Sequence, residues 1–236
     1  MTQRDGRGAQ PRLALFDLDH TLLPLDSDYE WGEFTIREGW CDRGDFGRRN
    51  EAFFADYQRG SLDVHDYVRF ATQALRRQGP GAARAAHARF MREVIAPAIR
   101  PQALALLQKH RDAGDLVVII TATNEFVTAP IAQALNVANL IAIELERGAD
   151  GWITGEIRGV PSMREGKVVR LRQWLAGRGM ALEHCESTFY SDSMNDLSLL
   201  QLVDHPVATN PGDELRALAH ARGWPVLDLF AEPPTP

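Results

Sequence analysis

Short runs of apolar and β-prone residues punctuate the chain at Leu13–Phe16, Leu116–Ile120, Thr188–Tyr190 and Pro206–Ala208, and each stops at a polar residue. Runs with little internal alternation suit strands buried on both faces, as in a parallel sheet. Between and after them the apolar spacing changes to three and four. This predicts helices over Pro101–Ala113, Glu125–Leu135, Arg164–Ala176 with Val168, Leu171 and Leu175 inward, Asp196–Leu202, and Glu214–Ala221 ending at Gly223. Val226-Leu227 is expected to close the sheet. Alternating strands and helices imply an α/β fold, a doubly wound, mainly parallel, Rossmann-like sheet.

One segment breaks the rhythm. From Ser27 to about Pro97 the pattern is helical throughout, with Trp31, Phe34 and Thr35 on one face, then Phe53, Phe54 and Tyr57, then Leu62 and Tyr67 to Leu75. A helical stretch of roughly 70 residues far exceeds an ordinary strand-to-helix connection. It predicts an inserted helical cap over residues 22–98, with the core built from 1–21 and 99–236, each with sequence enough for its own apolar interior. The aromatic set reads as cap core. Leu140–Glu146 and Trp152–Ile157, flanking Gly148-Ala149-Asp150-Gly151, alternate like a hairpin at an edge or flap.

Composition narrows the class. Apolar residues make up 44% and charged residues 25%, which excludes wholesale disorder. The net charge of −6, with signs interspersed, argues against nucleic acid as a partner. Cys41 and Cys185 are far apart and form no zinc or disulfide pattern, which fits a reducing cytoplasm. The polar start, Met1 to Pro11, lacks an apolar export signal, and no run of about 18 apolar residues suggests a membrane span. The residues after Phe230 read as a mobile tail. Oligomeric state is not encoded in any pattern of this kind.

Chemistry concentrates where three strands end: Asp17-Leu18-Asp19-His20-Thr21, Thr121-Ala122-Thr123, and Ser191-Asp192-Ser193-Met194-Asn195-Asp196. In open α/β sheets ligands bind beyond the carboxyl ends of the strands, so these residues can converge. With Lys167 ahead of a helix, this order of motifs resembles the haloacid dehalogenase superfamily, in its phosphoserine-phosphatase-like branch with a cap inserted after the first motif.

The resemblance implies a magnesium-dependent phosphomonoesterase acting on a small phosphorylated metabolite through a phosphoaspartyl intermediate. It makes Asp17 the nucleophile, Asp19 the general acid and base, and Thr121 and Lys167 the groups that hold the phosphoryl oxygens and orient Asp17. Asp17, Asp192 and the Asp19 carbonyl would hold magnesium, and Asp196 would orient Lys167. Leu18, Thr21, Ala122 and Asn195 are expected around phosphate or substrate, and Asp26 falls where relatives read an amino group. The family more often has Gly at the positions of Ser191 and Ala122, so both are expected to narrow the phosphate end. Ser27-x-x-Glu30 reads as a capping box. The cap arginine that grips the carboxylate of phosphoserine has no counterpart, since Ala71 stands there, with Arg59 and Arg69 as substitutes. Histidinol phosphate and phosphoserine are both candidate substrates. Two rival readings remain: phosphotransfer to another alcohol, and a binding module controlled by phosphorylation of Asp17.

Overall fold

The computed structural model describes residues 10–231; the first nine residues and the last five, including most of the expected tail, lie outside it. Six parallel strands form the main sheet: β1 (Arg12–Phe16), β2 (Leu116–Asn124), β3 (Asn139–Ile143), β6 (Glu186–Ser191), β7 (His205–Thr209) and β8 (Val226–Leu227). Their order is β3-β2-β1-β6-β7-β8. Along β1, Ala14 and Phe16 enter one apolar layer and Leu13 and Leu15 the other, the period of two expected for a strand covered on both sides.

One layer contains Leu171 and Leu175 of the helix Glu165–Ala176 and Leu215 and Ala219 of the helix Asp213–Arg222. That last helix stops where Gly223 adopts φ 67°, a left-handed turn that glycine enters without a Cβ penalty. The other layer takes Ala103 and Leu107 of the helix Pro101–Asp112 and Val127 and Ile131 of the helix Glu125–Ala134. The doubly wound α/β sheet with a helical insert is therefore observed.

The insert after β1 holds α1 (Ser27–Arg37), α2 (Arg48–Gln58), α3 (Val64–Ala71) and α4 (Gln73–Phe90), the last kinked at Gly79-Pro80. It divides its aromatics. Trp31, Phe34 and Phe90 join the same cluster as Phe16 and Ile119 of the sheet, while Phe46 and Phe70 make a small satellite with Phe53 and Tyr67 against it. The insert thus shares most of its apolar interior with the sheet. Phe53, Phe54 and Tyr57, expected in the cap core, line a cavity.

The expected hairpin is split differently. Asn139–Ile143 is the edge strand of the main sheet, and only β4 (Leu145–Arg147) pairs antiparallel with β5 (Ile153–Ile157). This small ribbon bridges insert and core: Glu156 meets Arg69 of α3 at 2.9 Å, and Trp152 packs edge-on to Phe126 of the helix Glu125–Ala134.

His87 of α4 is buried among Trp31, Phe90 and Phe126, and its Nε2 lies 3.1 Å from the Val127 carbonyl. Burial holds its pKa down, to about 4. Below its ordinary 6.5 the unfolded chain takes up this proton before the folded chain does. Stability therefore falls as pH drops from about 6.5 toward 4, by up to roughly 3 kcal/mol. Urea midpoints at pH 7 and pH 4.5 are expected to fall further for the wild type than for His87→Gln; equal falls would remove His87 from the account.

Candidate active site

β1 to β3 are laid down in one direction and β6 to β8 in the other, so the sheet reverses between β1 and β6. Such a reversal leaves a crevice beyond the strand ends. Asp17 follows β1 and Asp192 follows β6, and the Asp17 amide donates to the Tyr190 carbonyl at 2.9 Å. A cavity of about 40 Å³ lies there. Asp17, Asp19, Thr121, Ala122 and Asp192 line it from the core, and Asp26, Asp28, Phe53, Phe54, Tyr57 and Tyr67 from the insert.

Lys167 is 1% exposed, and its Nζ donates to Asp17 and Asp196 at 2.7 Å each. A buried ammonium keeps its charge only when paired in this way, and the two carboxylates hold its pKa well above the usual value against the opposing effect of burial. Ser191 donates to Asp196 at 2.7 Å, fixing the carboxylate that fixes the lysine. Burial pushes the Asp17 carboxyl up to about 7 despite the opposing pull of Lys167.

Asp19, two residues on, is held apart from the lysine. Its Oδ1 accepts from the Ser27 amide at 2.8 Å, and its Oδ2 from the Thr123 hydroxyl at 2.9 Å. Burial, then Asp26, push its pKa up to about 6. The Thr121 hydroxyl oxygen accepts from the Thr123 amide at 3.1 Å, which leaves its proton for a ligand. Thr123 stands in the second motif without a role assigned from sequence, although the period of two along β2 places it on the same face as Thr121. Asn124 was missed. It caps the helix Glu125–Ala134 through Oδ1 and reaches Asp28 through Nδ2 at 3.3 Å.

Several expected ligand contacts are arranged differently. Thr21 is fully buried, donating to Asp192 at 3.1 Å and accepting from the Asp192 amide, so it positions that carboxylate. Asn195 spends its amide on the Tyr57 carbonyl at 2.9 Å and lies 3.4 Å from Arg164, joining the last motif to the insert. Leu18 is fully buried and does not line the cavity. Ser191 lies outside the cavity lining with its hydroxyl on Asp196, so it does not narrow the phosphate end, whereas Ala122 does line the cavity.

Asp26, not Ser27, caps α1, accepting from the Asp28 and Tyr29 amides at 3.0 and 2.8 Å. The cap thus falls one residue before the expected capping box. Arg59 pairs with Asp56, and Arg69 with Asp66 and Glu156; neither lines this cavity. His20 does line it, in a left-handed turn at φ 56° whose carbonyl accepts from Asn210.

The charge count tests a divalent cation. Asp17 and Asp196 share one ammonium, and burial with the charges of these two neighbours pushes the Asp192 carboxyl well above its usual range. Negative charge is in excess. Among the described residues no three His, Cys, Asp or Glu side chains converge as a complete metal cage. The expected set needs only two carboxylates and the Asp19 carbonyl, with water and substrate supplying the other oxygens. The residues present fit magnesium on these terms.

Comparison with known proteins agrees with this geometry. The family model for haloacid dehalogenase-like hydrolases matches residues 14–201. A histidinol-phosphatase from Neisseria meningitidis is 45% identical, over 92% of this chain and 98% of its own. A phosphoserine phosphatase from Mycobacterium tuberculosis is 33% identical, over 92% of this chain and 70% of its own. Among solved structures, a protein of unknown function from Bordetella pertussis superposes with a TM-score of 0.89 at 51% identity, covering 94% of this chain and all of that one. A substrate-bound phosphoserine phosphatase shares the fold at a TM-score of 0.62 and 17% identity, covering 94% of each chain. With the motif residues gathered at the sheet's reversal and the family model spanning most of the sequence, the chain belongs to the haloacid dehalogenase-like hydrolases, as an enzyme of their phosphatase type.

Proposed function

We propose that the protein is a magnesium-dependent phosphomonoesterase that transfers the phosphoryl group of a small metabolite to Asp17 and then to water. The observation that carries this reading is Asp17 at the strand end, bonded by a lysine that Asp196 holds, with Asp19 nearby but kept off that lysine. An Asp17 oxygen forms the bond to phosphorus as the ester oxygen leaves. Protonated Asp19 donates to the departing alkoxide, then takes a proton from the water that cleaves the aspartyl phosphate. Thr121 donates to a phosphoryl oxygen, and Lys167 holds Asp17 in line and offsets charge on the transferring group. Magnesium bound by Asp17, Asp192 and the Asp19 carbonyl would neutralise charge that carboxylates alone would repel. Residues 22–98 act as the cap that excludes bulk water.

Magnesium is expected to support phosphate release from a chromogenic ester, and EDTA to abolish it. Equal rates would overturn the reading. An added alcohol that diverts phosphate to itself would favour the transferase alternative, and a stable phosphoprotein without release would favour the regulatory one. Asp19→Asn is expected to lower kcat by roughly 10²–10⁴-fold on alkyl phosphates. The loss should be smaller on p-nitrophenyl phosphate, whose leaving group needs little protonation. Equal losses on both would remove Asp19 as the acid.

For the substrate we propose a phosphorylated amino alcohol, with histidinol phosphate tested first. The histidinol-phosphatase relative at 45% identity supports it, and so does the absence of Arg59 and Arg69 from the cavity lining, which leaves a serine carboxylate without its clamp there. kcat/KM for histidinol phosphate should exceed that for phosphoserine by at least ~10-fold, the scale of one charge-assisted contact. The reverse order would overturn this assignment.

A further inference from the structure

The catalytic cavity is lined by five carboxyls, Asp17, Asp19, Asp26, Asp28 and Asp192, and among the described residues by no lysine or arginine. Lys167 sits behind Asp17 with both its bonds spent inward. Two of the three tyrosines that line the cavity, Tyr57 and Tyr67, mark two ends. The Tyr57 phenol lies chiefly in the field of Asp17, Asp196 and Asp192, the phosphoryl end, whereas the Tyr67 phenol lies chiefly in that of Asp28, with Asp26 between the two and felt by both. The charge at the phosphoryl end is accounted for by Lys167 and the proposed magnesium. The charge at the Tyr67 end has no partner among the described residues.

Of the two acids there, Asp26 is committed to the fold: one of its oxygens takes both leading amides of α1. Asp28 caps nothing. It is 6% exposed, receives a hydrogen bond from the Asn124 amide at 3.3 Å, has the Tyr67 phenol beside it, and meets no cation among the described residues. Phe53, Phe54 and Tyr67 line the same cavity, apolar faces that suit a flat or cationic group. Resting on the phosphatase reading above, we infer that Asp28, held by Asn124 and flanked by Tyr67, reads a positively charged substituent on the alcohol half of the substrate, an ammonium or imidazolium. Burial and the charges of Asp26 and Asp19 push the empty Asp28 carboxyl up to about 8. A cation beside it relieves the same cost, so the site favours substrates that bring one. Asp28 is a specificity residue, at the opposite end of the cavity from the phosphorus.

The test uses two nearly isosteric esters, 2-aminoethyl phosphate and propyl phosphate, and reads the ratio of their kcat/KM values in the full-length, magnesium-loaded enzyme. The wild type is expected to favour the amine by at least ~10-fold, and Asp28→Asn to bring the ratio to about 1–2. Tyr67→Phe, which removes a hydroxyl from Asp28, should lower the ratio part-way. Asp26→Asn keeps a competent helix cap and should hold the ratio within about threefold of wild type. A wild-type ratio near one, or a ratio that follows Asp26 instead of Asp28, overturns the assignment while leaving the phosphatase reading intact. If Asp28→Asn does not fold, Tyr67→Phe decides: an unchanged ratio overturns it. Hydrolysis of neither ester nor of p-nitrophenyl phosphate overturns both.

Discussion

Asp17→Asn is expected to lower kcat on the order of 10⁵-fold, the scale seen when a covalent nucleophile is removed. A carboxylate oxygen carries the charge that bonds to phosphorus; an amide oxygen does not, and no nearby group takes its place. Asp19 is the other carboxylate within reach, but its two oxygens are held by the Ser27 amide and the Thr123 hydroxyl. Asp192 is tied to Thr21 on both sides, through its side chain and its amide. The loss should come without unfolding, because the introduced amide oxygen can still accept from Lys167, which keeps its second bond to Asp196. Two measurements separate catalysis from folding: acid-quenched phosphoenzyme should be absent in the variant, while its thermal midpoint stays within a few degrees of wild type. Turnover within tenfold of wild type would show that phosphate is transferred directly to water, and the covalent mechanism would fall.

The residues proposed to carry this chemistry stand out in the sequence because they sit where strands, or their regular pairing, end: β2 runs on to Asn124, but its register with β3 shifts after Ile120, just before Thr121. Asp17, Thr121 and Asp192 each follow a run of buried residues, and a parallel sheet brings such ends together whatever their distance along the chain. Lys167 was readable only through family resemblance, since a lone lysine near a helix start is ordinarily solvated. What the sequence left open was side-chain direction. Thr21 and Asn195 have the right chemistry for phosphate, yet one turns to Asp192 and the other to the Tyr57 carbonyl, partners 171 and 138 residues away. The run Leu140–Glu146 reads as one strand because Glu144 is a single polar interruption. In the fold that residue separates a parallel edge strand from the antiparallel ribbon. The helical insert was legible as helical, but not its sharing of an interior with the sheet, because period alone does not say which neighbour an apolar face meets.

Gly166→Ala is expected to be the most damaging substitution of a residue that bears no functional group. Gly166 stands one residue before Lys167 in the first turn of the helix Glu165–Ala176, where the chain has just turned through Arg164 at φ 52°. A Cβ at position 166 would fall 2.0 Å from the Pro161 carbonyl oxygen and 3.2 Å from its carbon. Both are main-chain atoms, so no side chain can rotate aside, and the loop or the helix start must move. The same loop carries Ser162, which donates to the Thr121 carbonyl at 2.7 Å, so the displacement reaches two of the proposed catalytic positions at once. A shift on the order of 1 Å in a catalytic group costs about 10²-fold in rate, and forced overpacking about 1–3 kcal/mol in stability. kcat should fall by roughly that factor with the phosphoenzyme still detectable, which distinguishes a misplaced lysine from a missing nucleophile. Gly177→Ala is the control: it ends the same helix at φ −60°, where a Cβ would meet the Gln173 and Trp174 carbonyls at an ordinary 3.6 Å. That variant should keep its activity and differ in stability by less than about 1 kcal/mol. Equal behaviour of the two alanines, in kcat and in denaturant midpoint, would show that the loop before Lys167 yields without cost and that the lysine is positioned by its two carboxylates alone.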